Sequence, residues 1–573
     1  PMLSNSYNFK REYATRSFNT VYASFDIWKG IKFASTFSYD FVMNKSRAWK
    51  DPRTSDGDDD NGRFSKDYND ITNMTWSNIL TYQTKIKKKH NLDLLAGYEI
   101  NSKESDGLGT TISNFARWDK PEVNNGVVYQ SMGGSNSTTR IVSYITRANY
   151  DYDNKYYLGA SLRTDGSSRL ARENRWGNFW SLSGAWRVSS ESFMKPLQNW
   201  LSDLKLRVSY GVNGTLPSSY YGYMGLSSLT SNYNDNPGIK QSQLENKELT
   251  WETNYNFNSG IDLGFFDNRL NVTFEYYVRT TKNLLYSRPL SLATGFSSYL
   301  ANIGKLQNKG YELEIRSTNI ETKDFRWSTS LNLGHNANKI LKLDGDLKQV
   351  TSGTSIHKVG LPYSTYYMIE FAGIDPVDGE PMFYKNTTDE NGNLNKETTK
   401  DPRSAEKVIL QCADPTITGG LGNSISYKWF DLNFNVNFSF GAWNYDGAAG
   451  KLEHGGDGTL NIPIYYRKRW QKEGDETSIE RFVVGRSISM TDYATTRRLY
   501  SGDYVRLKNL TFGFTLPKTW TRKVGIDNIR LYASGNNLLT WAAYDYIDPE
   551  SGSSPSWDTP PMRTYTFGLE VKF

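Results

Sequence analysis

RTYTFGLEVKF, residues 563–573, closes the chain on a bare aromatic. Tyr565, Phe567, Leu569, Val571 and Phe573 alternate with Thr564, Thr566, Gly568, Glu570 and Lys572. A period of two places one set on each face of a strand, one apolar and one polar. The pattern recurs upstream. VYASFDIW (21–28) passes through Lys29-Gly30 into IKFASTFSYDFVM (31–43), where Ile31, Phe33, Phe37, Tyr39, Phe41 and Met43 share a face. FDLNFNVNFSF (430–440) sets Leu432, Phe434, Val436, Phe438 and Phe440 against Asp431, Asn433, Asn435, Asn437 and Ser439. The whole chain reads as about seventeen such strands, the first near 18–28, and the fold class is all-β.

The connections carry as much information as the strands. Short links fall near 29, 87, 154, 195, 267, 322, 429 and 522. Long polar links fall at 44–72, 102–139, 167–178, 214–249, 282–307, 337–416, 442–502 and 540–562. Short and long alternate throughout. An up-and-down antiparallel sheet then has all its short turns at one end and its long loops at the other. That is the plan of a transmembrane antiparallel β-barrel with short periplasmic turns and long extracellular loops. A strand of about 11 residues, rising roughly 3.3 Å per residue and tilted about 40°, spans about 28 Å, close to the apolar band of an outer membrane.

Composition agrees. Hydrophobic residues are 37% of 573, and no run approaches the roughly 18 apolar residues that a membrane-spanning helix needs. Alternating strands escape averaged hydropathy, so the mean of −0.64 is compatible with a barrel. Aromatics reach 14%, with 39 Tyr, and Gly numbers 47, a many-stranded bias. Lone Cys412 excludes an internal disulfide and a cysteine zinc cage. The net charge of +6, from 67 basic and 61 acidic residues, is too mixed for a nucleic-acid partner. His90, His335, His357 and His454 lack metal-ligand spacing, and no nucleophile or phosphate-loop motif stands out, so neither enzyme chemistry nor a cofactor is expected. SDGDDDNG (55–62) and DENGN (389–393) lack the spacing of a calcium loop and read as solvated turns, so no metal site is assigned.

An odd strand count does not close antiparallel on itself, and open edges in lipid would cost tens of kcal/mol in unpaired backbone groups, by a rough count. The expectation is that residues 1–573 are the later part of a larger barrel, with its first strands elsewhere. Aromatic clusters in the long links, SSYYGYMG (218–225), YSTYYM (363–368) and GAWNYDG (441–447), offer rings for stacking on a sugar or peptide. Tyr220, Tyr221, Tyr223, Tyr366, Tyr367, Trp443 and Tyr445 are the candidate substrate-binding residues. The alternative is that these rings pack loop against loop. YYMIEFAGID (366–375) is expected to form a hairpin above the membrane.

Several stretches resemble one family. They include SLRTDGSSRLARENRWGNFWSLSGAWRVSSESFMK (161–195), LTWETNYNFNSGIDLGFFDNRLNVTFEYYVRTTKNLL (249–285), NIGKLQNKGYELEI (302–315), GDYVRLKNLTFGFTLP (502–517), LYASGNNLLTW (531–541) and YIDPE (546–550). In this order they are similar to the C-terminal barrel portion of SusC/RagA-like TonB-dependent transporters of Bacteroidetes outer membranes. The resemblance implies a barrel of about 22 strands around an N-terminal plug, a SusD-like lipoprotein lid, and energy from the TonB complex acting through the plug-bearing segment. The plug, the TonB box and the first strands have no counterpart in this sequence. The implied function is import of an oligosaccharide or peptide across the cell outer membrane, with outer-membrane lipid around the barrel. The closing Tyr565, Phe567, Leu569, Val571 and Phe573 are then the outer-membrane insertion signal. A surface glycan-binding adhesin and a passive porin are the alternatives.

Overall fold

The structure is a computed structural model that describes residues 2–229, 232–234, 236–343, 347–390, 392–456, 462–485, 493–544, 546–551 and 561–573. Seventeen long strands form one antiparallel sheet, the number the alternation predicts. The chain divides into two compact units. The first comprises Pro1–Trp186, Ser209–Asn256 and Thr281–Ile303, the second Arg187–Val208, Phe257–Thr280 and Gly304–Phe573.

In the first unit Phe9–Trp28, Ile31–Lys50, Arg63–Ile86, His90–Phe115, Gly126–Tyr152, Tyr156–Ser167 and Trp176–Arg187 pair each with the next. In the second, Lys305–Glu321, Phe325–Lys342, Ile417–Tyr427, Phe430–Phe440, Tyr504–Thr515, Asn528–Ala542 and Thr564–Lys572 do the same. Leu201–Thr215, Glu252–Phe265 and Leu270–Lys282 complete the seventeen. The Lys29-Gly30 turn requires its glycine. Gly30 sits at φ +82°, and a Cβ there would lie 2.3 Å from the Gln83 carbonyl oxygen.

Sequence and structure part over strand length. The first five strands run 20, 20, 24, 26 and 27 residues, not about eleven. The expected links 44–72 and 102–139 shrink accordingly, because Arg63–Ile86 and His90–Phe115 reach into them. Hydrophobic alternation reports only the part of a strand with one apolar face. Beyond that part, segments such as NSKESDGLGTT (101–111) are polar on both faces while the ladder continues. The expected hairpin at 366–375 is also corrected. Thr365–Ile369 joins a four-stranded sheet beside Lys407–Cys412, whereas Phe371–Ile374 pairs with Pro381–Tyr384 in another.

Exposure runs opposite to that of a water-soluble sheet. Along Tyr156–Ser167, Tyr156, Leu158 and Leu162 are exposed at 44%, 62% and 48%, while Tyr157, Gly159, Ser161 and Arg163 are half-buried. On the second unit's last strand, Tyr565, Phe567 and Leu569 are exposed too, beside Gly535, Ala533 and Leu531 of the neighbouring strand. Buried apolar residues collect instead beyond this surface. Trp49, Phe64, Ile112 and Phe115 form one such cluster, Leu170, Phe179, Leu249 and Trp251 a second, both in the first unit.

Two aromatic belts bracket the exposed apolar surface. Trp176 stacks on Tyr144 at 6.1 Å and Trp186 on Tyr156 at 6.3 Å. The two tryptophans lie ten residues apart on one strand, a rise of about 25 Å at the usual barrel tilt, which matches the apolar band of a transmembrane barrel with its aromatic girdles.

Candidate functional site

In the second unit, the links that follow Phe430–Phe440 and Asn528–Ala542 build a layered cluster of charges and rings. Trp443–Tyr445 pairs with Leu499–Ser501, bringing the two ends of the 441–503 link together. Asp446 caps the short helix Gly447–Leu452 by accepting a hydrogen bond from the Ala449 amide at 2.7 Å. Beneath lie two arginines and two glutamates. Arg498 donates to Glu453 at 3.3 Å, and Arg497 is bonded to Glu480. Glu480 is fully buried and Arg498 is 2% exposed. Such charges persist away from water only when paired and hydrogen-bonded.

Tyrosines complete the pairing. The Tyr465 hydroxyl donates to Glu453 at 2.6 Å and the Tyr466 hydroxyl to Glu480 at 3.0 Å. Burial first, then the adjacent carboxylates, push both phenols well above their ordinary range, so both stay protonated donors. The last link is pinned from the sheet. Arg506, 2% exposed, donates to Asp548 at 2.6 Å and Glu550 at 2.8 Å, and Lys508 joins Glu550 at 2.6 Å. The pin presents a ring array. Tyr544 lies face to face with Tyr500 at 3.8 Å and donates to Asp446 at 3.1 Å. Tyr546 stands edge-on to Tyr465 and tilted against Tyr544, with 69% of its surface exposed. Sequence reasoning passed over Tyr465, Tyr500, Tyr544 and Tyr546, which come from three separate stretches. YIDPE was visible as a motif, but the partner of its acids, Arg506, lies on the separate strand Tyr504–Thr515.

The seven candidate rings divide. In the first unit, the Tyr220 ring is covered by the Arg169 guanidinium at 4.3 Å, and the Tyr221 hydroxyl accepts from the Thr138 amide at 3.0 Å. Tyr223 packs against the cluster around Leu249. In the second unit, Tyr366 is buried with Met368 and Leu499, and Trp443 and Tyr445 pack on them. Tyr367 is half-buried below the Lys407 ammonium at 6.0 Å. The four histidines have separate surroundings: His90 bonds Tyr150, His335 the Thr416 carbonyl, His357 stacks on Tyr363, and His454 lies near Phe482. Of the two acidic stretches, Asp56 bonds Asn8, and Asp389 accepts from the Asn393 amide; Asn391 lies outside the described residues.

The profile described as "TonB dependent receptor-like, beta-barrel" matches residues 3–538. TonB-dependent receptor P3 of Formosa agariphila is 32% identical over 96% of this chain and 57% of its own length. TonB-dependent receptor SusC of Bacteroides thetaiotaomicron is 30% identical over 76% of this chain and 44% of its own. A structure of the RagAB peptide transporter superposes with a TM-score of 0.88 at 27% identity, covering 99% of this chain and 63% of that one. The chain thus spans a little over half the length of relatives such as receptor P3. With the seventeen-stranded antiparallel sheet, these matches establish that the chain belongs to the TonB-dependent receptor-like β-barrel family, of the SusC and RagA type.

Proposed function

We propose that this chain forms the larger, C-terminal part of an outer-membrane importer that takes up an oligosaccharide or oligopeptide with a SusD-like lipoprotein lid. The inverted exposure carries the placement. A strand on which Tyr156, Leu158 and Leu162 are exposed while the alternating Tyr157, Gly159, Ser161 and Arg163 are half-buried suits lipid outside and water inside. Two aromatic belts at membrane spacing support the same placement. The chain performs no catalysis in this reading. It supplies wall and outer loops, and the TonB complex acts through a plug-bearing segment that displaces to let nutrient pass. In the first unit Tyr220 and Tyr221, and in the second Tyr367 and Tyr546, retain ring surface for nutrient contact. Tyr223, Tyr366, Trp443 and Tyr445 hold the loops that carry them.

Purification from native membranes in mild detergent tests the reading. The expected result is recovery of this chain with a plug-bearing segment and a lipoprotein. Recovery of residues 1–573 alone, as a closed monodisperse barrel, would refute it.

A further inference from the structure

The turn that joins Arg63–Ile86 to His90–Phe115 carries residues its backbone disfavours. Lys87 and Lys88 sit at φ +49° and +61°, both left-handed, and the Lys89 amide donates to the Ile86 carbonyl at 3.2 Å. Such a turn favours Asn, Asp or Gly, because a longer side chain crowds its own backbone there. The next hairpin of the first unit shows the usual choice. Asp153 and Asn154, both at φ +55°, join Gly126–Tyr152 to Tyr156–Ser167, with the Lys155 amide donating to the Tyr152 carbonyl at 2.9 Å. Among the described residues, positive φ outside glycine otherwise falls on Asn or Asp, except at Phe266 and Lys428. Lys89 pairs with Asp153 at 3.4 Å. Lys87 and Lys88 are exposed and have no ion-pair partner among the described residues. Backbone strain and the repulsion of adjacent like charges therefore meet in one turn, and nothing within the chain offsets either.

The level of this turn on the sheet points to what offsets them. Ile86, His90, Tyr152, Tyr156 and Trp186 are cross-strand partners in a single row over five strands. Rings adjoin along it, His90 to Tyr152 at 5.0 Å, Tyr152 to Tyr156 at 6.3 Å and Tyr156 to Trp186 at 6.3 Å. Ile86 is 52% exposed, on the same face as the exposed Tyr156 and Leu158. The row is an aromatic girdle ending in an apolar side chain, the level at which rings meet lipid headgroups. Lys87 and Lys88 follow Ile86 directly, one step beyond the girdle and at the depth of the headgroup phosphates.

Resting on the membrane placement proposed above, we propose that the Lys87-Lys88 turn is a binding site for an anionic phospholipid of the periplasmic leaflet. Its phosphate accepts hydrogen bonds from the two ammonium groups, and its acyl chains lie along Ile86 and the girdle. A zwitterionic headgroup carries an ammonium of its own beside the phosphate and gains less from the pair. Clustered lysines at a membrane surface discriminate in this way, by roughly five-fold in affinity for each lysine.

The test uses the full-length transporter in nanodiscs of phosphatidylcholine with a minor share of phosphatidylglycerol. Lys87→Asn with Lys88→Gly supplies the residues this backbone favours and removes both charges. The enrichment of phosphatidylglycerol around the protein, read by native mass spectrometry, should fall by up to about thirty-fold. Heat-modifiable gel mobility in detergent alone should be unchanged or shift to higher temperature, which a purely structural role for the lysines would not give. Lys87→Arg with Lys88→Arg should keep the enrichment. Equal enrichment in wild type and the Asn-Gly variant, or equal loss of both lipids, overturns the proposal. Displacement of phosphatidylglycerol by millimolar inorganic phosphate at constant ionic strength also overturns it, by assigning the site to the free ion. A transporter that stays folded in buffer without detergent or lipid removes the membrane placement and the lipid site with it.

Discussion

Glu480→Ala probes the loop cluster most directly. Glu480 is wholly buried, and Arg497, its partner, is 11% exposed. Removing the carboxylate leaves the guanidinium desolvated, with Glu453 at 3.8 Å as its remaining counter-charge, and strands the Tyr466 hydroxyl. Breaking one side of a buried pair costs about 3–5 kcal/mol. Because Glu453 still faces Arg497, the lower end applies, about 3 kcal/mol, or about two orders of magnitude in the loop-opening equilibrium. The sheet should be unaffected, since its ladder does not pass through this cluster. Hydrogen exchange of the 462–485 amides in the detergent-solubilised transporter is the assay, with exchange of the Phe430–Phe440 strand as internal reference. Glu480→Gln with Arg497→Met removes both charges, keeps an acceptor for Tyr466, and should recover most of the protection, because Glu453 and Arg498 remain balanced. Equal protection in Glu480→Ala and wild type, or a double variant worse than the single one, would refute the reasoning.

Four further outcomes are expected. Phe434→Arg should destabilise the barrel by about 2–4 kcal/mol in denaturant titration, and Asn435→Arg on the opposite face by much less; spin labels at the two positions should differ in access to a water-soluble quencher. Phe573→Ala should lower the amount of protein reaching the outer membrane without changing synthesis, read by membrane fractionation. Tyr546→Ala should weaken surface binding of the nutrient by a factor corresponding to about 0.5–1.5 kcal/mol; unchanged binding in a folded variant would confine that ring to packing. The phenols of Tyr465 and Tyr466 are raised in the folded state, so the unfolded loop releases its protons first; protection should therefore hold below about pH 10 and fall as pH climbs beyond it.

What the sequence disclosed follows from which forces act between neighbours along the chain. Alternation on each strand, the alternation of short and long links and the strand count were legible, because lipid on one side imposes a strict period of two over consecutive residues. Strand ends were not. Above the apolar band both faces meet water, and the ladder between residues such as Ser105 and Ser137 rests on backbone bonds that leave no trace in side-chain hydropathy. The loop cluster was illegible for a different reason. Glu453, Glu480 and Arg497 look like ordinary surface charges in isolation, and only the fold brings them together away from water. The same holds for Tyr546, in a link whose Asp548 and Glu550 are held by an arginine of the strand Tyr504–Thr515. The alignment of small polar residues across the second unit's last six strands lies between these cases. FDLNFNVNFSF displays its asparagines openly, and one strand read alone says only that its polar face is wet. That six strands bring small polar residues to the same two levels is a property of register, which the pattern of no single strand carries.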